Sequence, residues 1–210
     1  EALNQIGRGC DQIDWWIFPG CQPEDLGERL IAKGTAGGPD GTWGLVGKIG
    51  GQGGTWMLAD LASLSCPSVP DGFHTKQVTD LTLLNQWKET SAEGFGGGDY
   101  QILYDAFARH GLGPDDMAAH YIGYLDDTPV TAATLLLAGS IASVYNVSTP
   151  EALRQRGFGG AITYVAFQEA EKRGYQDAFV WSSPLGRGAY GNLGFVITDV
   201  GIREYQWQKR

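Results

Sequence analysis

Cysteine is scarce in this chain of 210 residues, which contains only Cys10, Cys21 and Cys66. An odd, sparse set without Cys-x-x-Cys spacing argues against a disulfide framework and against a structural zinc site. We therefore expect a reduced, cytoplasmic setting and no bound metal. Pairing of Cys10 with Cys21 is the alternative.

Long apolar runs and an excess of positive charge are also missing. No stretch approaches the roughly 20 apolar residues that span a bilayer, and the first residues, Glu-Ala-Leu-Asn, lack the basic start and apolar block of a signal peptide. The net charge is −9, whereas nucleic-acid binding requires clustered Lys and Arg. We therefore expect neither membrane nor nucleic-acid partners. An acidic surface can favour cationic amines as substrates, although its simpler role is to keep the protein soluble.

Glycine, in contrast, is abundant, and one glycine-rich segment is placed to bind phosphate. Residues 154–160 read Arg-Gln-Arg-Gly-Phe-Gly-Gly between a strand-like run at 141–147 and a helix-like run at 161–173. Glycines at such a junction let backbone N–H groups approach a ligand closely. The helix N-terminus behind them adds partial positive charge. The segment therefore predicts a phosphate cradle.

The patterns around the cradle predict a mixed α/β domain. Turn residues separate three strand-like runs that precede the cradle, which makes those strands antiparallel. The predicted elements are strand 75–78, helix 80–92 with Asp80 as N-cap and Leu81, Leu84 and Trp87 on one face, helix 100–109, strands 121–125, 129–137 and 141–147, helix 161–173, strand 178–181, helix 185–193, and closing strands 195–200 and 202–206.

The first third of the chain predicts a smaller unit without a recognisable catalytic set. Its predicted elements are strand 14–19, helix 23–33, a glycine-rich loop at 34–54 and strand 55–61. We therefore divide the chain into a lobe at 1–65, a linker at 66–72 and a main domain at 73–210.

Two nucleotide-binding alternatives fit the cradle poorly. A P-loop requires Gly-Lys-Ser/Thr after the glycines, and no such run follows them. A dinucleotide-binding fold requires a βαβ unit, whereas antiparallel strands precede this motif.

Two motifs resemble those of one superfamily, the GCN5-related N-acetyltransferases. Arg154-x-x-Gly157-x-Gly159 resembles their Gln/Arg-x-x-Gly-x-Gly/Ala signature, and the run from Tyr190 through Gly194-Phe195 resembles their Tyr-x-x-x-Gly-Phe element. The order of elements between the motifs also matches. The resemblance covers roughly residues 73–210, and the first third resembles the degenerate N-terminal half of two-lobed bacterial members.

The resemblance implies a fold and an activity. The implied fold is α/β (α+β), with a mixed, mostly antiparallel central sheet flanked by helices and a smaller N-terminal strand–helix–strand lobe. The implied activity is transfer of an acetyl group from acetyl-CoA to a primary amine of a small-molecule or peptide acceptor, by direct attack in a ternary complex. Dimers are common in the superfamily, so the resemblance leaves a homodimer open.

The resemblance also assigns roles to individual residues. Tyr190 occupies the position of the general acid, which protonates the departing thiolate of CoA. Trp87 and Phe95, next to a run of three glycines, are expected to line the acceptor mouth. The residues implied to contact the cofactor, through strand pairing, the glycine loop or the turn before Tyr190, are Asn146, Val147, Ser148, Arg154, Gln155, Arg156, Gly157, Phe158, Gly159, Gly160 and Ser183. For Ser183, capping of the short helix is the competing role.

A general base is missing from the expected place. Many members carry a carboxylate on or near the strand before the signature, but that strand offers Ser143, Tyr145 and Asn146. The remaining candidates are a water relay or one of four side chains, Glu93, Asp99, His120 and Glu151. The alternative function is therefore a non-catalytic acyl-CoA-binding or regulatory module that kept the cradle and lost the base.

Overall fold

The computed structural model describes residues 12–32, 36–37, 54–113, 116–199, 201 and 203–208. The chain divides into two compact units. The main unit runs from Thr55 to Ile197, and the smaller unit combines Glu1–Gly54 with Thr198–Arg210.

Ten strands and five α-helices form within the described residues. In chain order they are β1 (Gln12–Ile17), α1 (Leu26–Ala32), β2 (Ala36–Gly37), β3 (Thr55–Asp60), β4 (Phe73–Gln77), α2 (Leu81–Gly94), α3 (Gln101–His110), β5 (Ala118–Leu125), β6 (Thr128–Ala138), β7 (Ile141–Ser148), α4 (Phe158–Lys172), β8 (Asp177–Ser182), α5 (Arg187–Leu193), β9 (Val196–Ile197) and β10 (Arg203–Gln208). None of the described helices is long and apolar enough to cross a membrane.

A seven-stranded sheet forms the main unit, in the order β4-β5-β6-β7-β8-β3-β9. Its described pairs are antiparallel except β7 and β8, which run parallel. Helices cover both faces: α4 packs against one face, and α2 and α3 pack on β5 and its neighbours on the other. The predicted α/β class with a mostly antiparallel sheet is confirmed.

Capping residues fix where the two long helices begin. Asp80 caps α2 as predicted, because its Oδ1 accepts a hydrogen bond of 2.8 Å from the Leu83 N–H. The buried stripe of α2 includes Leu84 and Trp87, but Leu81 is 53% exposed, so the stripe begins one turn later than predicted. Gly157, with φ of +86°, caps α4. Because only glycine adopts this conformation readily, α4 begins three residues before the predicted start at 161.

A bulge interrupts the pairing of β7 with β6. Ser148 pairs with Ala132 and Tyr145 pairs with Thr134, so two residues of β7 lie opposite Ala133 alone. Asn146 takes up the extra length with φ of +52°. The Trp87 indole N–H donates a hydrogen bond of 3.1 Å to the Ala133 carbonyl. A bulge bends its strand and increases the local twist. Here the buried Trp87 indole is hydrogen-bonded to β6, the strand opposite the bulge.

The same bend accompanies the parting of β7 from β8. Their parallel pairing extends from Ile141 and Asp177 to Ser143 and Phe179 and then ends. Beyond that point β7 continues to pair with β6, and β8 continues to pair with β3. The sheet therefore opens between two central strands, each of which remains paired on its outer side.

The smaller unit contains a three-stranded antiparallel sheet, in the order β1-β10-β2. A hypothetical Cβ on Gly27 of α1 would overlap the Tyr205 hydroxyl, so helix and sheet approach closely there. The predicted strand at 14–19 and helix at 23–33 are both present, with shifted ends. Except for residues 36, 37 and 54, the predicted loop at 34–54 lies outside the described residues.

The compact units differ from the predicted domain boundaries. The strand predicted to close the first lobe, β3, lies in the main sheet between β8 and β9. The last strand, β10, pairs with β1 and β2 rather than closing the main sheet. Such pairing is non-local, and no local pattern encodes it. That the smaller unit is a degenerate copy of the main one stays a prediction.

Replacing Trp87 by Phe tests the indole contact. The change removes the donor to the Ala133 carbonyl, and a buried group that loses its partner costs about 1–3 kcal/mol. Urea unfolding should show a loss of this size. Trp181→Phe is the matched control, because Trp181 is 39% exposed, and it should cost clearly less. Equal unfolding midpoints for the two variants would contradict the assigned contact.

Candidate functional site

The end of β7 forms one wall of the opening in the sheet. Val147 is half-buried and packs against the core beneath α4. Ser148 is buried, and its carbonyl accepts a hydrogen bond of 2.7 Å from the Thr131 hydroxyl. The Ser148 hydroxyl is also buried, without a partner. The hydrogen bond to Ser148 therefore fixes the end of β7 against β6. Asn146 and Val147 lie in the part of β7 that no longer pairs with β8.

Arg154 ties the loop after β7 to the last turn of α2. Its Nη2 donates to the Gly94 carbonyl at 2.9 Å, and its Nε donates to the Thr149 carbonyl at 3.2 Å. Gly94 is required at this contact, since a hypothetical Cβ there would lie 2.6 Å from the Ser148 Cβ. Arg154 thus has a structural role that the motif alone did not reveal, and its contact with phosphate stays a prediction.

The residues after Arg154 turn the chain sharply into α4. Gln155 and Gly157 both have positive φ, +62° and +86°. A Cβ on Gly157 would lie 2.8 Å from the Ser68 carbonyl oxygen, so glycine is required there on two grounds. The Arg156 guanidinium lies 5.1 Å from the centre of the buried Phe158 ring. This packing holds an exposed positive charge beside the first turn of α4.

The first turn of α4 presents free backbone donors. The first N–H to bond back into the turn is that of Ala161, which donates to the Gly157 carbonyl at 3.0 Å. The N–H groups of Phe158, Gly159 and Gly160 precede it, as in any helix N-terminus. A Cβ added to Gly160 would meet nothing within 4 Å, and one on Gly159 would make only ordinary contacts of 3.7 Å and 3.8 Å. The turn therefore combines unengaged donors, the positive end of the helix dipole and free space, which suits an anion.

Tyr190 lies on α5 and is linked to the same turn. Its ring is buried and packs edge-on against Phe195, with ring centres 6.0 Å apart. Burial raises the pKa of its phenol to about 12, and a side-chain hydrogen bond with Thr163 acts in the opposite direction. Thr163 in turn donates to the Gly159 carbonyl at 2.8 Å. The phenol is therefore protonated at neutral pH and is connected through one residue to the predicted cradle.

The turn before α5 holds Ser182 and Ser183. The Ser183 hydroxyl accepts a hydrogen bond of 3.3 Å from the Gly186 N–H, just before the helix begins. The buried Ser182 hydroxyl donates to the Ser183 carbonyl at 2.8 Å. Ser183 thus stabilises the turn before α5, a role close to the helix capping named as the alternative. Its contact with the cofactor stays a prediction.

The structure corrects the role of Trp87. Its side chain is fully buried, so it does not line an open acceptor mouth. Phe95, in contrast, is 50% exposed and stacks on Tyr100 with ring centres 6.1 Å apart. Positive φ values at Gly96, Gly97 and Gly98 shape the turn beside it. The spacing on α2 could not separate these two aromatics, because a core tryptophan and a pocket tryptophan fit the same helical pattern.

The candidate bases are not brought together. The imidazole of His120 is buried between the rings of Trp87 and Phe107, and its Nδ1 is 2.9 Å from the Thr134 hydroxyl. Burial lowers the pKa of His120 to about 4. The carboxylates considered from the sequence, Glu93, Asp99 and Glu151, are exposed, and that of Asp99 accepts the Gln101 N–H at 2.8 Å. No residue is therefore assigned as the base.

Two further sequence predictions concern metals and thiols. Among the described residues, no group of three potential ligands is placed to bind a metal ion. Cys21 and Cys66 are free thiols, so Cys21 does not form the alternative disulfide. Cys10 lies outside the described residues.

Comparison with solved structures identifies the architecture: the chain has the fold of the GCN5-related N-acetyltransferases. A GCN5-related N-acetyltransferase from Kribbella flavida matches 87% of this chain and 63% of its own, with 17% identity and a TM-score of 0.61. One from Sphaerobacter thermophilus matches 94% of this chain and 59% of its own, with 13% identity and a TM-score of 0.62. The chain thus spans less than two thirds of the length of either protein.

A third similar structure is smaller and is named together with acetyl-CoA. A predicted acetyltransferase with acetyl-CoA, from Clostridium acetobutylicum, matches 60% of this chain and 92% of its own, with 15% identity and a TM-score of 0.51. No protein-family model and no curated protein sequence matches the chain. At these identities the similarity establishes the fold, which agrees with the one expected from the two motifs.

The burial of His120 predicts a loss of folding stability at acid pH. Its pKa is about 4 in the folded chain against about 6.5 in the unfolded chain. The unfolded state therefore binds the proton first, so stability present above pH 6.5 is lost as the pH falls from 6.5 towards 4, by on the order of 3 kcal/mol.

Chemical unfolding at several pH values tests this assignment. His120→Gln should flatten the loss of stability between pH 6.5 and 4, whatever its cost at pH 7. His110→Gln, at an exposed position on α3, should leave the slope unchanged. A wild-type slope in the His120 variant would show that the imidazole does not titrate as described.

Proposed function

We propose that the chain is an acyl-CoA-dependent N-acyltransferase and a two-lobed member of the GCN5-related superfamily. It would transfer an acetyl group from acetyl-CoA to a primary amine of a small-molecule or peptide acceptor, by direct attack in a ternary complex. The observation that carries the proposal is the parting of β7 and β8 after Ser143 and Phe179, next to the unengaged first turn of α4.

The opening suits the elongated shape of CoA. The inner edges of β7 and β8 offer backbone N–H and C=O groups at the level of Asn146 and Val147, and an amide-bearing arm can pair with such an edge as an added strand does. The first turn of α4 suits the pyrophosphate, with Arg156 beside it to supply a charge-assisted contact. The free space at Gly159 and Gly160 is what a close approach of phosphate oxygens to the backbone requires.

Tyr190 supplies the proton in the proposed reaction. The thioester provides an activated acyl group; as the C–N bond forms and the C–S bond breaks, the sulfur leaves as a thiolate that takes the phenolic proton. Burial makes the phenol a weaker acid, but the same desolvation also disfavours a thiolate and raises its affinity for the proton. The proton lost by the attacking amine passes to water or to a base that remains unassigned.

A non-catalytic acyl-CoA-binding module is the second candidate. The observation that favours it is the lack of a carboxylate on β7, where Ser143, Tyr145 and Asn146 stand. Calorimetry with CoA, together with thiol release from acetyl-CoA in the presence of a panel of amines, distinguishes the two functions. The enzyme proposal predicts binding and amine-dependent release. Binding without release supports the module, and the lack of binding contradicts both.

Substitution of Gly159 tests the cradle. The folded chain accommodates a Cβ there at ordinary contact distances, so Gly159→Ala should retain the stability of the wild type. In the complex that Cβ would occupy space next to the phosphate, and the affinity for CoA should fall by about tenfold or more, which corresponds to roughly 1.4 kcal/mol. Gly188→Ala, also in a helix with open space around it, is the control and should bind normally. Unchanged affinity in a folded Gly159 variant would count against the cradle.

Tyr190→Phe tests the general acid. Loss of the proton donor should lower kcat by about a hundredfold or more and leave the affinity for CoA within about twofold. Since the pKa of Tyr190 is about 12, ionisation of this phenol should not reduce the wild-type kcat below about pH 10. A variant with the wild-type rate would remove Tyr190 from the mechanism.

A further inference from the structure

The face of the sheet opposite α4 carries a set of adjacent aromatic side chains. Trp56 of β3 stacks on Phe179 of β8 with ring centres 4.8 Å apart, and it also meets Trp181, with centres 6.2 Å apart. Their neighbours along these strands, Met57 and Val180, point into the core beneath α4. Strand alternation therefore places the three rings together on the other face.

The aromatic set extends to the opening between β7 and β8. Ser143 and Phe179 are the last paired residues, and two residues further on the same face are Tyr145 and Trp181. These two side chains are 43% and 39% exposed, one on each side of the gap. We call the surface formed by Trp56, Tyr145, Phe179 and Trp181 the aromatic face.

The aromatic face lies on the opposite side of the sheet from the phosphate cradle. A cofactor held by its pyrophosphate at the first turn of α4 and threaded between β7 and β8 would present its other end on this side. The attacking amine must meet the acyl group at that end. Tyr145 and Trp181 therefore flank the place where an acceptor has to bind.

The chemistry of the aromatic face is apolar and uncharged. Along β3 and β8 the same alternation adds Leu58, with Asp60 and Asp177 paired at the far end. Between those carboxylates and the gap, no described residue of β3, β7 or β8 on this face is charged. The face can thus stack on a flat ring and attract an ammonium group by cation–π contact.

We propose that the aromatic face is the acceptor site, and that the acceptor is a compact primary amine carried on an aromatic ring. The ring stacks on Trp181, with Trp56 and Phe179 behind it, and the amine reaches the gap beside Tyr145. This assignment rests on the proposed function, since it is the cofactor path that makes this face the acceptor side. Continuity with the β7–β8 gap distinguishes it from an ordinary apolar patch.

A matched set of amines tests the acceptor class. Calorimetry on the protein saturated with CoA compares 2-phenylethylamine, 2-cyclohexylethylamine, octylamine, glucosamine and spermidine. The first three have eight carbon atoms and differ in ring character. The aromatic amine should bind about three- to tenfold more tightly than its saturated counterpart, and spermidine and glucosamine should bind more weakly still. Equal affinities, tighter binding of another amine or no amine binding would overturn the proposal.

Variants at Trp181 test whether the preference for the aromatic amine arises at the aromatic face. Trp181→Leu retains an apolar side chain but removes the ring, so the aromatic preference should disappear while the affinity for CoA stays unchanged. Trp181→Phe should retain most of the preference for the aromatic amine. Tyr145→Leu supplies a second test if the Trp181→Leu variant does not fold. Met117→Ala, a truncation of another exposed apolar side chain, is the control and should retain the preference.

Three outcomes separate this inference from the proposed function. Lack of CoA binding by the wild type contradicts the proposed function. Normal CoA binding with an aromatic preference that survives both Trp181→Leu and Tyr145→Leu contradicts the acceptor site alone. A change in oligomeric state of the Trp181→Leu variant on size-exclusion chromatography, with amine affinity unaltered, would show that a second copy of the chain occupies this face.

Discussion

The parting of β7 from β8 is the constraint on which the rest of the site depends. Two parallel central strands would normally share hydrogen bonds along their length, but here the pairing stops at Ser143 and Phe179. A bulge at Asn146 lets β7 follow β6 instead, and the Trp87 indole holds the carbonyl opposite that bulge. This buried hydrogen bond thus helps to keep two backbone edges available. Without this opening, the first turn of α4 would have no path beside it for the rest of the proposed cofactor.

The loop between β7 and α4 makes the two sides of this opening different. Arg154 fastens the loop to the end of α2, and Gly157 makes the turn that no other residue would make at the same cost. The first turn of α4 then lies beside the opening, and Tyr190 is linked through Thr163 to the Gly159 carbonyl of the same turn. The first turn of α4 and Tyr190 therefore lie on the α4 side of the sheet, and the aromatic residues lie on the other. On this asymmetry we base the proposal that cofactor and acceptor approach from opposite sides of the sheet.

Local chemistry was predictable from the sequence, and long-range pairing was not. The cap at Asp80, the glycine turn at the start of α4 and the three antiparallel strands follow from short patterns that encode backbone conformation directly. The places of β3 and β10 depend on partners more than a hundred residues away along the chain, and no local pattern specifies them. The predicted place of Trp87 in the acceptor mouth was wrong, because helical spacing indicates which face a side chain occupies and not how deeply it is buried. No local pattern relates Tyr145 to Trp181, because only the end of the β7–β8 pairing brings them to the two sides of one gap.

A crystal structure of the protein with acetyl-CoA tests the central claim most directly. The account predicts density for the pantetheine arm between β7 and β8 at the level of Asn146 and Val147. It also predicts the pyrophosphate at the N–H groups of Gly159 and Gly160, and the acyl group emerging between Tyr145 and Trp181. A complex in which the pyrophosphate binds elsewhere, or in which β7 and β8 close and pair along their length, would contradict it.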